Sequence, residues 1–332
     1  LSVSQDEDSG VYLINYQDPQ TPATLFTISD LDDVTDRSAW LQLTDVNPQV
    51  REFALGRAVE VEWTSTDGKT AGGVLTYPVG YEEGTRYPLV VSIHGGPASA
   101  DVLSFHSSEQ VYAGAGYAVL EPNYRGSTNY GNAHKTDIVG DYFTLGFDDI
   151  MTGVDHLIEM GVVDGDRMGA FGWSAGGHWS NWILTHTDRF KAISSGAGTM
   201  NWISMYAQSD VQRNRRYYVG DGFLYENFDT YWDQSPLKYI MNAKTPTMIH
   251  VVEGDPRVPS PQSLELHMAL KKLGVPTELF LYPGRSHGIP DARNRLVKAV
   301  SEMAWMDFYV RGIGEKFQWA QVLGTLEEGM RD

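Results

Sequence analysis

Two patterns of hydrophobic positions divide the chain. From Val11 to about Thr44, short β-rich segments alternate with turns rich in Asp, Pro and Ser, and no helical period lies between them. After Tyr87-Pro88, continuous apolar strands alternate with segments of helical period. The first pattern predicts a small antiparallel sheet. The second predicts an α/β protein with a mostly parallel, doubly wound sheet.

The predicted elements can be placed by residue number. Strands are expected at 11–16, 24–28, 40–44, 59–63, 73–77, 89–93, 118–120, 168–171, 248–252 and 278–282. Asp67-Gly68 suits a tight hairpin turn between the fourth and fifth of these strands. A helix is predicted over 148–160 with acidic residues in its first turn, and another begins with Ser260 as N-cap and Pro261, and ends at Gly274. The segment 200–236, rich in Trp, Tyr and Arg, is predicted to be an insertion near the functional site.

Composition excludes several classes of function. The 332 residues carry 25 Lys and Arg against 43 Asp and Glu, a formal charge of −18, so nucleic acid is an unfavourable partner. The absence of cysteine excludes thiolate nucleophiles and Cys-bound metals. The longest apolar runs are shorter than the roughly 18 residues of a membrane helix, so we expect a soluble protein with no membrane partner. The chain starts at Leu1 without a signal-peptide pattern, which suggests a start inside a longer precursor and assigns no compartment.

A candidate nucleophile lies in Gly172-Trp-Ser174-Ala-Gly176, between a predicted strand and a helix-compatible run. Small residues must flank the serine of such a G-x-S-x-G turn, which presents the hydroxyl at the carboxyl edge of the sheet. A second match, around Ser286, is followed within a few residues by Pro290 and no helix starts at its serine. We therefore predict Ser174 as the nucleophile and Ser286 as a turn residue.

An elbow serine needs a histidine base and an acid that orients it, and these follow the serine in chain order. His287 comes five residues after a predicted strand, whereas His186 ends the helix of the elbow and His250 lies inside a strand. One strand earlier, Asp255 is the natural acid and Glu253 is the alternative. The sequence predicts Ser174, Asp255 and His287 as a catalytic triad.

The oxyanion of an acyl-transfer intermediate needs two N–H donors. The amide of Ala175, directly after the nucleophile, is one candidate. The other lies in His94-Gly95-Gly96-Pro97, a turn at the end of a predicted buried strand. We therefore expect an oxyanion hole at Ala175, Gly95 and Gly96.

These segments together resemble the prolyl oligopeptidase family of serine peptidases, which includes dipeptidyl peptidases and acylaminoacyl peptidases. The similarity spans about residues 58–309 and adds 61–68, 123–131 and 255–259 to the elbow, the glycine turn and the histidine loop. The resemblance implies an α/β-hydrolase fold with the triad and oxyanion hole named above. It also implies that Arg257 binds a substrate carbonyl. Trp202 and Tyr206 are expected either to wall the substrate pocket or to be core aromatics.

Family members carry an N-terminal β-propeller, and residues 1–50 resemble only its last blade, followed by a hydrolase domain at 51–332. A single blade cannot close a propeller, so the rest was removed or another partner covers that edge. The tail from Gly312 to Asp332, with Phe317, Trp319, Val322 and Leu323, is expected to pack on the domain or on a second subunit of a homo-oligomer.

Three functions remain open. The first is a serine hydrolase that cleaves peptide bonds in short peptides through an acyl-enzyme. The second is a carboxylesterase for aryl or feruloyl-type esters with the same triad, and the third is a non-catalytic hydrolase fold that binds a partner. No cofactor and no metal are implied, because the nine histidines form no ligand spacing.

Overall fold

The strands form two separate sheets in the computed structural model, which describes residues 1–220 and 222–317. The predicted packing of Trp319, Val322 and Leu323 lies outside the described residues. Phe317 is buried and its ring contacts that of Phe280 at 5.6 Å between centroids, so this part of the tail packs on its own domain.

The N-terminal sheet has four antiparallel strands in the order β1-β2-β3-β4. They are β1 (Ser2–Gln5), β2 (Tyr12–Asp18), β3 (Thr21–Ile28) and β4 (Leu41–Gln42). Three were predicted, and β1 is an addition that pairs with β2 along its whole length. The sheet resembles one blade of a propeller, as the sequence predicts.

The second sheet has eight strands in the order β12-β11-β10-β9-β7-β8-β6-β5. They are β5 (Ala58–Thr64), β6 (Thr70–Thr76), β7 (Tyr87–Ile93), β8 (Ala118–Asn123), β9 (Val163–Trp173), β10 (Ala192–Gly196), β11 (Thr247–Val252) and β12 (Thr277–Tyr282). The strands from β12 through β8 are parallel, and β6 pairs antiparallel with both β8 and β5. The predicted mostly parallel α/β-hydrolase sheet is confirmed.

Helices cover both faces of this sheet because its central strands are apolar on both sides. In β7, Leu89, Val91 and Ile93 belong to one core cluster and Val90 to the other. The helices are α1 (Ser107–Gly114), α2 (Gly131–Thr136), α3 (Thr144–Glu159), α4 (Ala175–His186), α5 (Trp202–Gln208), α6 (Gln212–Tyr218), α7 (Phe228–Asp233), α8 (Pro261–Leu273) and α9 (Ala292–Met306). Residues of α3, α4 and α8 pack in the first cluster, and residues of α1 and α9 pack in the second.

Several local expectations need correction. Helix α3 begins at Thr144, four residues before the predicted start, so its first turn contains no acidic residue. Ser260 does not cap α8, because its own backbone is helical and its hydroxyl donates to the carbonyl of Glu253 at 2.8 Å. Pro261 and the left-handed Gly274 do delimit α8 as predicted. The insertion predicted at 200–236 forms α5, α6 and α7 between β10 and β11.

Candidate active site

Ser174 lies at a sharp turn between β9 and α4. Its backbone adopts φ 62° and ψ −119°, a conformation that L-residues rarely occupy. The Ser174 N–H donates to the carbonyl of Gly196 at 2.9 Å, and its carbonyl accepts from the amide of His178 at 2.9 Å. These bonds join the turn to β10 on one side and to the first turn of α4 on the other. The geometry is that of a nucleophile elbow.

The glycines of the elbow are required by close backbone contacts. A Cβ on Gly172 would lie 2.5 Å from the carbonyl carbon of Gly176, and a Cβ on Gly176 would overlap the carbonyl oxygen of Ile93. A Cβ on Gly95 would lie 3.4 Å from the Cβ of Ser174. The end of β7 and the elbow are therefore in direct contact, which only residues without a side chain permit.

Asp255 and His287 form a hydrogen-bonded pair on neighbouring loops. His287 Nδ1 lies 2.8 Å from Asp255 Oδ2, and the Asp255 side chain is fully buried. The other carboxylate oxygen accepts from the backbone amides of Arg257 at 2.8 Å and Val258 at 3.1 Å. His287 Nε2 is buried and has no hydrogen-bond partner among the described residues. A carboxylate thus holds one ring nitrogen while the opposite nitrogen remains available to accept a proton.

The two loops are positioned by the sheet. Asp255 follows the end of β11 by three residues, and His287 follows the end of the parallel strand β12 by five. The Gly254 amide donates to the carbonyl of Gly284 at 3.0 Å, and the indole of Trp173 donates to the carbonyl of His287 at 3.0 Å. The histidine loop is therefore bonded both to the acid loop and to the strand that precedes Ser174.

The other candidates named from the sequence lie elsewhere. Glu253 is exposed, whereas Asp255 is buried against His287. His250 is fully buried in β11, where Nδ1 lies 2.9 Å from the hydroxyl of Tyr282, and burial lowers its pKa well below the usual value. The ring of His186 stacks on its neighbour Trp182 in α4. Ser286 donates to the carbonyl of Gly288 at 2.6 Å, and no helix begins at it.

The turn after β7 is braced by the chain segment that follows β8. His94 Nδ1 donates to the carbonyl of Gly95 at 2.8 Å, and Nε2 lies 2.9 Å from the hydroxyl of Ser127. Tyr124 stacks on the His94 ring and donates its hydroxyl to the His94 carbonyl at 2.9 Å. Burial lowers the pKa of His94 to about 4, so the imidazole is neutral at physiological pH. Gly96, at φ 123°, lies at the cleft that this turn borders.

A cleft of about 230 Å³ connects the candidate residues. Its lining residues come from the glycine turn, the elbow, the insertion and the two later loops: Gly96, Ser174, Val211, Asn214, Tyr218, Arg257 and His287. Ala175 is the first residue of α4, so its amide lacks an acceptor within the helix. The guanidinium of Arg257 lies 3.4 Å from the carboxylate of Asp210. The structure therefore brings Ser174, His287, Gly96 and Arg257 together.

The two aromatics considered for the pocket wall are placed differently. Trp202 is fully buried and contacts the rings of Tyr142 and His178. Tyr206 is 7% exposed and packs against Tyr231. Neither lines the cleft, so the core interpretation of these residues is the better one.

The wall of the cleft that was expected at Trp202 and Tyr206 of α5 is formed instead by residues in and directly before α6. Val211, directly before α6, and Asn214 and Tyr218, within α6, are spaced by three and four residues, and all three line the cleft. The sequence predicts the insertion but not these residues. Their spacing of three and four residues indicates that they share one side of a helix. The sequence of a helix this short does not indicate which neighbour that side contacts.

A mostly parallel sheet, a serine elbow after β9 and a buried carboxylate–histidine pair on the loops after β11 and β12 define an α/β-hydrolase. The sequence profile of the prolyl oligopeptidase family, Peptidase_S9, matches residues 103–312. The chain belongs to this family.

Related proteins agree with this assignment. The chain is 34% identical over 312 residues to a Bacillus subtilis protein named uncharacterized peptidase YuxL, an alignment that covers 92% of the chain and 46% of that protein. It is 30% identical over 264 residues to dipeptidyl-peptidase 5 of Porphyromonas gingivalis, covering 76% of the chain and 38% of the relative. The solved structure of Pyrococcus horikoshii acylaminoacyl peptidase superposes with a TM-score of 0.85 at 27% identity, over 97% of this chain and 51% of that one.

The chain spans less than half the length of these two sequence relatives and about half of the solved structure. Among the residues that the structure describes, no helix is both long and apolar enough to cross a membrane.

Proposed function

We propose that this chain hydrolyses peptide bonds in short peptides through an acyl-enzyme on Ser174. The observation that carries the proposal is the Asp255–His287 hydrogen bond, with His287 Nε2 unpaired among the described residues and with His287 lining the same cleft as the strained Ser174. The names of the relatives, a dipeptidyl-peptidase and an acylaminoacyl peptidase, support a peptide substrate.

In this mechanism Ser174 Oγ attacks the carbonyl carbon of the scissile bond while His287 Nε2 accepts the hydroxyl proton. Asp255 keeps the Nδ1 proton on the histidine ring and stabilises the imidazolium that forms. The amides of Ala175 and of the Gly95-Gly96 turn donate to the oxyanion. His287 returns the proton to the departing amine, which leaves Ser174 acylated. A water molecule, deprotonated by His287, then attacks the ester and releases the acid.

Substrate binding is proposed for Arg257 and for the α6 face. Arg257 lies in the cleft with its side chain 51% exposed, so its guanidinium is accessible to a peptide carbonyl. Val211 and Tyr218 offer apolar contact to a substrate side chain beside Ser174, and the amide of Asn214 offers a hydrogen bond. We also propose the division into an N-terminal unit at 1–50 and a hydrolase domain at 51–332.

The experiment compares aminoacyl anilides, short peptides and aryl esters as substrates for the wild-type chain and for Ser174→Ala. We expect amide hydrolysis by the wild type and its loss in Ser174→Ala, with circular dichroism unchanged. Fast ester hydrolysis with no turnover of any amide would reject the peptidase function and favour the carboxylesterase, which none of the three relatives described above supports by name. Full amide hydrolysis by Ser174→Ala would reject the nucleophile.

A further inference from the structure

Apart from the catalytic cleft, three side chains of metal-ligating type converge between β7, α1 and β8. Asp101 lies in the loop after β7, His106 directly precedes α1, and Glu121 lies in β8. One ligand atom from each lies within 4.8 Å of the other two. None of the three lines the cleft that contains Ser174. No compact sequence motif marks the cluster, because its members come from three segments at irregular spacing.

The imidazole of His106 is oriented as a metal-bound histidine would be. Its Nδ1 lies 2.5 Å from Glu121 Oε1, and its Nε2 lies 2.9 Å from the hydroxyl of Ser104. The Ser104 hydroxyl donates its own proton to the carbonyl of Val102 at 3.3 Å, so it accepts from Nε2–H. A hydrogen bond on the ring nitrogen opposite the ligating one is the usual arrangement around a metal-bound histidine.

Asp101 is held in place by hydrogen bonds of its backbone, and its carboxylate accepts no hydrogen bond from the described residues. The amide of Asp101 donates to Asn123 Oδ1 at 2.8 Å, and Asn123 Nδ2 donates to the Asp101 carbonyl at 2.9 Å. Among the described residues, no hydrogen bond reaches the Asp101 carboxylate. These two hydrogen bonds hold the Asp101 carboxylate next to the His106–Glu121 pair before any ion binds.

The surroundings contain more negative than positive charge. Glu109, in α1, is buried, and its carboxylate accepts from the hydroxyls of Ser92 at 2.9 Å and Ser108 at 2.6 Å. Its hydrogen bonds are thus satisfied, and its carboxylate, like those of Asp101 and Glu121, interacts electrostatically with the imidazole of His106. A cavity of about 580 Å³ is lined by Asp101 of the cluster and by Glu60 and Glu62, among others.

We propose that Asp101, His106 and Glu121 bind a divalent transition-metal ion, with Zn²⁺ as the ion that fits the donor set. Two carboxylates and one imidazole leave a fourth tetrahedral position for water. Imidazole favours Zn²⁺ over Mg²⁺ and Ca²⁺, which prefer oxygen ligands alone. The ion would replace the proton between His106 Nδ1 and Glu121 and would join the loop after β7 to α1 and β8. This inference is independent of the proposed peptidase function.

The test measures zinc directly. Chelator-treated wild-type chain is incubated with ZnCl₂, desalted and analysed for metal content, and affinity is measured by competition with a fluorescent zinc chelator. We expect one zinc ion per chain in the wild type and its loss in His106→Ala and Asp101→Asn. Ser104→Ala, which removes only the support of the histidine, is expected to weaken binding by about 10- to 100-fold.

Three controls show whether zinc binds at this cluster or elsewhere on the chain. His267→Ala removes a histidine on α8 that belongs to no such cluster among the described residues, and it is expected to keep its zinc. His287→Ala is expected to keep it too, which excludes binding at the catalytic pair. Asp101→Asn is nearly isosteric, and its melting temperature in the presence of a chelator is expected to match that of the wild type, which excludes unfolding as the cause. No zinc on the wild type, or equal zinc on wild type and Asp101→Asn, would overturn the proposal.

Discussion

At the scale of single residues, a hydrogen bond to the buried carboxylate of Asp255 distinguishes His287 from a histidine on the open surface. It is buried and accepts from two backbone amides and from His287. Its neighbour Glu253 has the same charge but is exposed. Asp255 and Glu253 therefore allow a buried carboxylate to be compared with an exposed carboxylate on the same loop.

Asp255→Asn is expected to lower kcat by about 10⁴-fold, because an amide in place of the carboxylate stabilises the wrong tautomer of His287. Steady-state hydrolysis of an aminoacyl anilide measures the loss. Glu253→Gln serves as the matched control and is expected to retain wild-type turnover. Equal losses in the two variants would show that the acid has been misassigned.

His94 makes stability depend on pH. Burial lowers its pKa to about 4 in the folded chain from 6.5, so between these values the unfolded chain binds a proton that the folded chain does not. The free energy of unfolding therefore falls as the pH falls through this window. His94→Asn should show a smaller fall in urea unfolding between about pH 7 and pH 5. The difference between the two proteins at about pH 8, where the imidazole is neutral in both states, gives the packing change alone. An identical fall in both would contradict the assignment.

At the scale of elements, the contact between β7 and α4 fixes where the elbow lies. Gly176→Ala would force a methyl group against the carbonyl of Ile93, and neither backbone can move without displacing a central strand. We expect a loss of about 3 kcal/mol or more in the free energy of unfolding, measured with urea. Gly114→Ala, in α1, has no atom within 4 Å of the new methyl and should be neutral or stabilising by up to about 1 kcal/mol. A stable Gly176→Ala protein would contradict the packing described here.

A buried ion pair connects the segment after β8 to α3. Arg125 is 1% exposed and its guanidinium donates to Asp149 at 2.7 Å, while Asp149 is fully buried. Removing the cation leaves an uncompensated buried carboxylate, so Arg125→Leu should cost about 3–5 kcal/mol. The exposed pair of Arg167 with Asp164 is the control, and Arg167→Leu should cost less than about 1 kcal/mol. Similar unfolding midpoints for the two variants would contradict this ranking.

The elements that sequence analysis predicted correctly are those whose local pattern agrees with their surroundings. Strands β7 and β11 consist mostly of apolar residues, and the left-handed Gly274 ends α8 as predicted. Strand β10 was missed because Ala192–Gly196 contains two serines and is a strand only through its pairing with β9 and β11. Local residue preference carries no information on such pairing.

The candidate site shows the same difference between what the local sequence pattern predicts and what depends on packing. Ser174, Asp255 and His287 could be predicted because chain order and strand ends determine where an elbow and its partners lie. The residues that form the wall of the cleft could not be predicted, because the face of α6 that borders the cleft depends on how the whole insertion packs. The cluster of Asp101, His106 and Glu121 is likewise visible only after β7, α1 and β8 are assembled.

At the scale of the whole molecule, two sheets of different kinds lie in one chain. The parallel sheet brings the glycine turn, the elbow and the acid and histidine loops to the carboxyl ends of β7, β9, β11 and β12. The N-terminal sheet contributes no residue to the described lining of the cleft. The described residues that line the cleft therefore all come from the chain after the N-terminal sheet.

We propose Ser174, and not the second G-x-S-x-G serine at Ser286, as the nucleophile. The most direct measurement is mass spectrometry of the intact chain and its proteolytic peptides after treatment with a fluorophosphonate. We expect one adduct per chain, located on the peptide that contains Ser174 and lost in Ser174→Ala. An adduct on Ser286, or an unlabelled but folded wild-type chain, would contradict this proposal.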